Sequence, residues 1–268
     1  MKILILGDLM GNSGKKAIKE NLSKIIKDKR IDFTIINGEN AAEDGRGITK
    51  DIAEELFNLG VDVITSGNHI WDKKETAEFI SKEKRLLRPE NLAAGSPGSG
   101  YGIFLSKNKK YKIAVINLMG NVFMKKTEDL FTAAKNLQNK IKLRENADFI
   151  MVDLHGEITS EKMAMGHYFD GKATAVVGTH THVPTADTRI LDNGTAYQTD
   201  IGMCGDYNSV IGMNKENSVM KFLNDAKAQK HFPAVGQSTL SGIIVEADDL
   251  TGLANKIERF IHGGVLNS

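Results

Sequence analysis

Lys2-Ile-Leu-Ile-Leu-Gly-Asp8 sets four consecutive aliphatic residues against a glycine and a carboxylate. A short apolar run bounded by turn residues reads as a strand buried on both faces. The pattern recurs: residues 33–36 end at Asn37-Gly-Glu-Asn40, and residues 61–65 end at Ser66-Gly-Asn-His69. Between these runs, Ala17, Ile18, Leu22, Ile25 and Ile26 stand at helical spacing, as do Ile52, Ala53, Leu56 and Leu59, with Gly60 as a C-cap. Gly11-Asn-Ser-Gly14 reads as the turn before the first helix. A β-α-β-α-β order predicts parallel strands joined by right-handed crossovers.

Farther along, residues 102–105 and 112–118 predict a strand pair around the solvated lysine-rich turn 107–110. Residues 127–144 predict a long helix, 149–154 a strand ending at His155-Gly156, and 160–169 another helix. The apolar run Ala173, Ala175, Val176, Val177 then stops at Gly178 and delivers His180 and His182 into a loop. Residues 188–191 and 196–199 flank Asp192-Asn-Gly194, a hairpin signal. Residues 243–246 read as a late strand and 250–261 as a closing helix capped near Asp248 or Asp249. The fold class is α/β with an added antiparallel portion: two packed sheets flanked by helices, in a single domain over 1–268.

At 268 residues the chain can bury one large core, and no linker divides it. A 41% hydrophobic and 26% charged composition is that of an ordinary globular protein. The net charge of +1 advertises neither a nucleic-acid nor a membrane surface, so no stable complex with either is expected. Cys204, the single cysteine, excludes an intrachain disulfide and a thiolate zinc cluster and fits a reducing compartment. The opening apolar run is too short for a signal peptide, and no stretch approaches the roughly 18 apolar residues of a membrane span. The expected location is the cytoplasm.

Asp8, Glu39, Asn40, Asn68, His69, His155, His180 and His182 all follow predicted strands. They are expected on loops along one edge of a parallel sheet, where ligands gather in open α/β folds. A lone aspartate there is usually a turn residue, and a lone loop histidine is usually just exposed. Five such strand ends in one chain are a different matter. Oxygen and imidazole ligands without sulfur suit manganese, iron, zinc or magnesium. They are too many for one catalytic zinc, which takes three ligands from its protein, and two ions fit the count better.

Other chemistries fail on spacing. Gly14-Lys15 does not complete a Walker motif, and no Gly-x-Gly-x-x-Gly follows the first strand, so no organic cofactor is expected. Ser13 and Thr181 have no base at nucleophile spacing. Cys204 reads as a buried or loop thiol, His167 as a structural or exposed helix residue, and His231 and His262 as surface residues. Trp71 reads as a packing wall beside the site.

Gly7-Asp8, Gly67-Asn-His69, His155 and Gly178-Thr-His-Thr-His182 resemble, in order, the signature of the calcineurin-like metallophosphoesterases. Met10 stands where the common pattern has a histidine, and Gly38-Glu-Asn40 replaces its bridging aspartate. Those departures are similar to the YmdB-like phosphodiesterases, as are Asn37-Gly-Glu-Asn-Ala-Ala42, Gly67-Asn-His-Ile-Trp-Asp72, Thr159-Ser-Glu-Lys162 and Gly194-Thr-Ala-Tyr-Gln-Thr-Asp-Ile-Gly-Met203. Only Cys204-Gly-Asp206 departs locally. The resemblance implies a four-layer α-β-β-α sandwich of two mixed sheets, and two divalent ions, iron or manganese first, with magnesium or zinc as alternatives. Asp8, Glu39, Asn40 and His182 would hold one ion, and Glu39, Asn68, His155 and His180 the other, with Glu39 bridging. His69 would be the general acid, with Asp72 either orienting it or standing on the surface.

Three functions follow for comparison. The resemblance points to hydrolysis of cyclic nucleotides, 2′,3′-cyclic or 3′,5′-cyclic, as small-molecule substrates. A phosphomonoesterase on the same metal core and a low-turnover nucleotide-binding regulator are the alternatives. His69 argues against the last, since a binder needs no acid there. The resemblance is also compatible with a homo-oligomer.

Overall fold

The computed structural model describes residues 1–266. The elements run β1 (Lys2–Leu9), α1 (Gly11–Lys29), β2 (Phe33–Asn37), α2 (Lys50–Asn58), β3 (Val63–Thr65), α3 (Thr76–Phe79), β4 (Tyr101–Leu105) and β5 (Lys112–Met119). They continue α4 (Leu130–Lys140), β6 (Phe149–His155), α5 (Thr159–Tyr168), β7 (Ala175–Thr179), β8 (Arg189–Ile190), β9 (Ala196–Gln198), β10 (Met203–Cys204), α6 (Lys215–Phe222), β11 (Leu240–Ala247) and β12 (Ala254–His262). Two mixed sheets result. One has the order β12-β11-β1-β2-β3, with β10 also on β1; the other is β4-β5-β6-β7-β9-β8.

Side-chain alternation along β1 builds the layers. Ile3 and Ile5 face the second sheet, meeting Val115, Phe149, Met151 and Val177. Leu4 and Leu6 face the other way, toward Ile18 and Leu22 of α1 and Ala53 and Leu56 of α2. Across the second sheet, Ile116 and Ile150 pack on Leu130 and Leu137 of α4 and Met165 of α5. This is the four-layer α-β-β-α sandwich expected. Strands buried on both faces need unbroken apolar sequence, which is why their reading was direct. Thr49 caps α2 by accepting from the Ile52 amide, and Gly60 at φ 105° ends it.

Three local expectations are corrected. Gly11–Gly14 is the first turn of α1 itself, and a Cβ on Gly14 would strike the Cys204 carbonyl, so glycine there lets α1 approach β10. Residues 250–261 contain no helix: β12 pairs antiparallel with β11, Ile244 opposite Glu258. Asp248 caps only a turn, accepting from the Leu250 and Thr251 amides. Leu250, Leu253, Ala254 and Ile257 have helical spacing, but pairing on a sheet edge overrides it, and Lys256, Glu258 and Arg259 blunt that edge. Finally, the ligand-bearing loops lie at the carboxyl ends of two facing sheets, not along one. Among the described residues, no helix is long and apolar enough to cross a membrane.

Candidate metal centre

The first sheet delivers Asp8, Glu39, Asn40, Asn68 and His69 to the seam between the sheets; the second delivers His155, His180 and His182. A β-bulge at Gly7 aims Asp8: the register shifts between Leu6 and Asp8, and the Asp8 amide donates to the Gly202 carbonyl. Glu39 starts the loop after β2, its amide held by Asn37 Oδ1 at 3.1 Å. His155 is the last residue of β6 and wholly buried.

The candidate ligand atoms fall into two groups. His155 Nε2 lies 2.9 Å from Glu39 Oε1, 3.0 Å from Asn68 Oδ1 and 3.0 Å from His180 Nδ1. His182 Nε2 lies 3.2 Å from Asn40 Oδ1 and 4.0 Å from Asp8 Oδ1. One ring nitrogen carries at most one proton and cannot satisfy three partners by hydrogen bonding. Asp8 Oδ1 is buried with no hydrogen-bond partner at all. A divalent cation accepts such converging lone pairs, and the sulfur-free donor set fits one. Asn40 turns its amide protons to the Gly45 carbonyl at 2.8 Å, leaving its own oxygen for the cluster.

Each histidine is anchored by its other nitrogen. His182 Nδ1 meets the Ile211 carbonyl at 2.8 Å, His180 Nε2 the Glu157 carboxylate at 3.0 Å, and His155 Nδ1 the Thr179 hydroxyl at 3.0 Å. Such outer partners orient metal-binding imidazoles. Both loop histidines have left-handed backbones, His180 at φ 100° and His182 at φ 66°. Strain of this kind persists only where its surroundings enforce it. Thr181, between them, is fastened through its amide and hydroxyl to Asp200 Oδ2, which also pairs with Lys162 Nζ at 2.8 Å. Lys162 and Asp200 are each 1% exposed, so losing either would strand the other's charge. The Thr159-Ser-Glu-Lys162 segment therefore clamps the histidine loop.

His69 stands at the rim, its Nδ1 2.8 Å from Asp72 Oδ2 and its amide donating to Glu39 Oε2 at 3.1 Å. Asp72 thus faces His69, though it also lies 3.8 Å from Lys125. Beyond the rim is a cavity of about 430 Å³, lined by His69, Glu157, His180, His182, Arg46 and the apolar Ile211, Met213 and Phe222. That volume suits a small ligand. Trp71 packs into the core against the helices instead of lining the cavity. His231 is exposed yet does line it; His167 and His262 are exposed elsewhere, and Cys204 is buried in β10.

Sequence reading missed Glu157, Thr179, Asp153 and the Ile211 carbonyl. Asp153 left a signal, being the one charged residue inside the apolar run of β6. A backbone carbonyl leaves none.

Electrostatics follow from the crowding. Burial raises Glu39, but the His155 and His69 contacts outweigh it and hold the carboxyl at about 2. Burial lowers His155, but Glu39, Asp8 and Asp153 outweigh it and lift the imidazole to about 9. Burial lifts Asp8 to about 6, while burial and the neighbouring His155 hold His180 at about 3. A metal ligand must be unprotonated, so loading at pH 7 is expected to release about one proton per chain from His155, in addition to what an acidified water gives up. Calorimetric titration with manganese in buffers of differing ionisation enthalpy measures this. No buffer dependence at pH 7 would remove His155 from the ligand set.

The sequence profile of a family described as "YmdB-like protein" matches residues 4–260. A Bacillus subtilis (strain 168) protein named 2′,3′-cyclic-nucleotide 2′-phosphodiesterase is 45% identical over 261 residues, covering 97% of each chain. The crystal structure of a novel phosphatase from Mycoplasma pneumoniae aligns with a TM-score of 0.89 at 37% identity, over 98% of this chain and 93% of that one. A hypothetical protein from Thermus thermophilus aligns equally well, at 36% identity and TM-score 0.89, over 98% of this chain and all of that one.

Proposed function

The chain belongs to the YmdB-like family, of metallophosphoesterase type, and from that premise we propose that it is a phosphodiesterase hydrolysing cyclic nucleotides at a dinuclear metal centre. The substrates are 2′,3′-cyclic or 3′,5′-cyclic monophosphates, the former carrying the support of the named activity of the B. subtilis relative. The observation that carries the reading is the adjacency of two donor groups: His155 meets Glu39 Oε1 at 2.9 Å and lies 3.7 Å from Asp8 Oδ1, which in turn lies 4.0 Å from His182 Nε2, so Glu39 is the carboxylate we assign as shared. A shared carboxylate offsets the repulsion of two close dications. Iron or manganese suits these donors first, with magnesium or zinc as alternatives. When bound, such ions supply Lewis-acid polarisation of the phosphate and acidify a water.

The protein's own residues do the rest. Asp8, Glu39, Asn40 and His182 form one seat, and Glu39, Asn68, His155 and His180 the second. A sugar alkoxide leaves poorly unless it receives a proton. His69 faces the cavity with Nδ1 held by Asp72, so its Nε2 is free to deliver that proton, a contribution of about 10²–10⁴-fold. Asp72 holds the ring toward the cavity.

A monoesterase reading draws on the Mycoplasma phosphatase. The separating experiment assays metal-loaded protein on a diester and a monoester of one chromophore, beside His69→Ala. Diester hydrolysis is expected to dominate and to fall at least about tenfold in the variant, with metal content unchanged. Monoester preference would favour the second reading, and equal turnover in the two proteins would sink His69 as the acid.

A further inference from the structure

We infer that Asp153, acting through the Thr179 hydroxyl, sets which nitrogen of His155 is free to bind a metal. This rests on the reading of His155 as a ligand. The anchors of His180 and His182, a carboxylate and a carbonyl, can only accept a proton, so they fix the imidazole's polarity by themselves. The anchor of His155 is a hydroxyl, which can donate or accept. Asp8 Oδ1, also facing Nδ1, lies at 3.7 Å, beyond hydrogen-bond reach, so the direction is decided one group farther away, through the hydroxyl.

Three groups surround Thr179 Oγ1: Asp153 Oδ1 at 2.8 Å, His155 Nδ1 at 3.0 Å and Asn37 Nδ2 at 3.3 Å. A threonine hydroxyl has one proton and two lone pairs. Asp153 already receives Asn37 Nδ2 at 3.0 Å and Thr65 Oγ1 at 2.5 Å on Oδ2; burial raises its carboxyl against these donors, and in the ionised form that the relay requires it can only accept. The Thr179 proton is therefore committed to Asp153 Oδ1. The remaining lone pairs face Asn37 Nδ2 and His155 Nδ1, so Nδ1–H is the form that satisfies the hydroxyl, against the competing pull of Glu39 Oε1 on Nε2. Nε2 is left bare, pointing at Glu39, Asn68 and His180. All four members, Asn37, Thr65, Asp153 and Thr179, are at most 4% exposed, so bulk solvent does not compete for their hydrogen bonds. Asn37 and Thr65 come from the first sheet and Asp153 and Thr179 from the second, which gives a buried carboxylate in the apolar β6 a specific reason to be there.

Asp153 and Thr179 are positioning residues, and Asp153→Asn tests them because its polarity is forced. The two donors near Oδ2, Asn37 and Thr65, require the amide oxygen there, so the new NH2 faces Thr179. Thr179 must then donate to His155 Nδ1, and the free tautomer inverts. The readout is long-range ¹⁵N–¹H correlation of metal-free protein above the pH at which His155 becomes neutral, assigned by loss of its signals in His155→Gln. Wild type is expected to keep the proton on Nδ1; Asp153→Asn is expected to move it to Nε2 and to weaken zinc binding about 10–100-fold. Thr179→Ser, which retains the hydroxyl, is expected to keep the wild-type tautomer and affinity, while Thr179→Val loses both. A retained Nδ1 proton in Asp153→Asn, with native circular dichroism, would overturn the relay. An inverted tautomer with unchanged zinc affinity would leave the relay standing and remove His155 as a ligand.

Discussion

Glu39→Gln is expected to abolish loading of the metal pair and with it phosphodiester hydrolysis, both by at least about 100-fold, the upper end of what even an outer partner costs. Both proposed seats need Glu39, and glutamine keeps the volume while removing the charge that offsets repulsion between two dications. The variant should also be less stable without metal. Below pH 9 the buried Glu39 carboxylate pairs at 2.9 Å with a protonated His155, and breaking such a pair costs on the order of 3–5 kcal/mol. The sign follows from the raised imidazole: the pairing is complete below the ordinary histidine value of 6.5 and fades as pH rises through about 9. Chemical denaturation of chelator-treated wild type and variant at pH 6 and pH 10 should thus show a gap that closes at the higher pH. A variant that still binds two ions would remove Glu39 as the bridge.

Gly67→Ala is expected to weaken the same site without replacing a ligand. A methyl group on Gly67 would overlap the His155 ring at Cδ2 and Nε2 and also Glu39 Oε2. None of these atoms is the loose end of a flexible chain; each is held in a buried network. The backbone at Gly67 is not left-handed, so alanine can adopt it and the protein should fold. Metal affinity is expected to drop at least about tenfold, with native circular dichroism and a lower melting temperature. Wild-type loading in this variant would mean that His155 and Glu39 can retreat, and that the cluster is looser than its distances indicate.

Both substitutions fall on motifs that were legible in the sequence, and the reason is physical. Strands buried on two faces must be apolar throughout, so Gly67-Asn68-His69 or Gly178-Thr-His-Thr-His182 stands out sharply where one ends. Parallel order and two packed sheets followed from that punctuation. The division of the loops between the two sheets was not legible, because Phe149 to His155 reads the same whichever sheet receives it. Residues 250–261 misled for a related reason: an edge strand with one sparse apolar face can imitate helical spacing, and only its partner at 240–247 decides. Groups that hold the ligands were the least visible. Ile211 acts through its carbonyl, Thr179 through a hydroxyl common in any strand, and Glu157 through a position two residues past His155. Asp153 alone announced itself, as a charge where the strand should have had none.

The pairing of β1 has a consequence for how the protein comes into being. Its central strand lies between β2, which follows within forty residues, and β11, whose Ile243 sits opposite Ile5. The chain builds half of the first sheet, crosses to make all of the second, and returns to finish the first. On the ribosome, Asp8, Glu39, Asn40 and Asn68 emerge together, but the strand that carries Asp8 keeps an open flank until β11 is made. The Gly202 carbonyl that receives the Asp8 amide and the Ile211 carbonyl that steadies His182 also arrive late. Non-local closures of this kind are the slow steps of folding. A nascent chain therefore gathers Asp8, Asn40 and His182 into one steadied cluster only after residue 211 and β11 have been made.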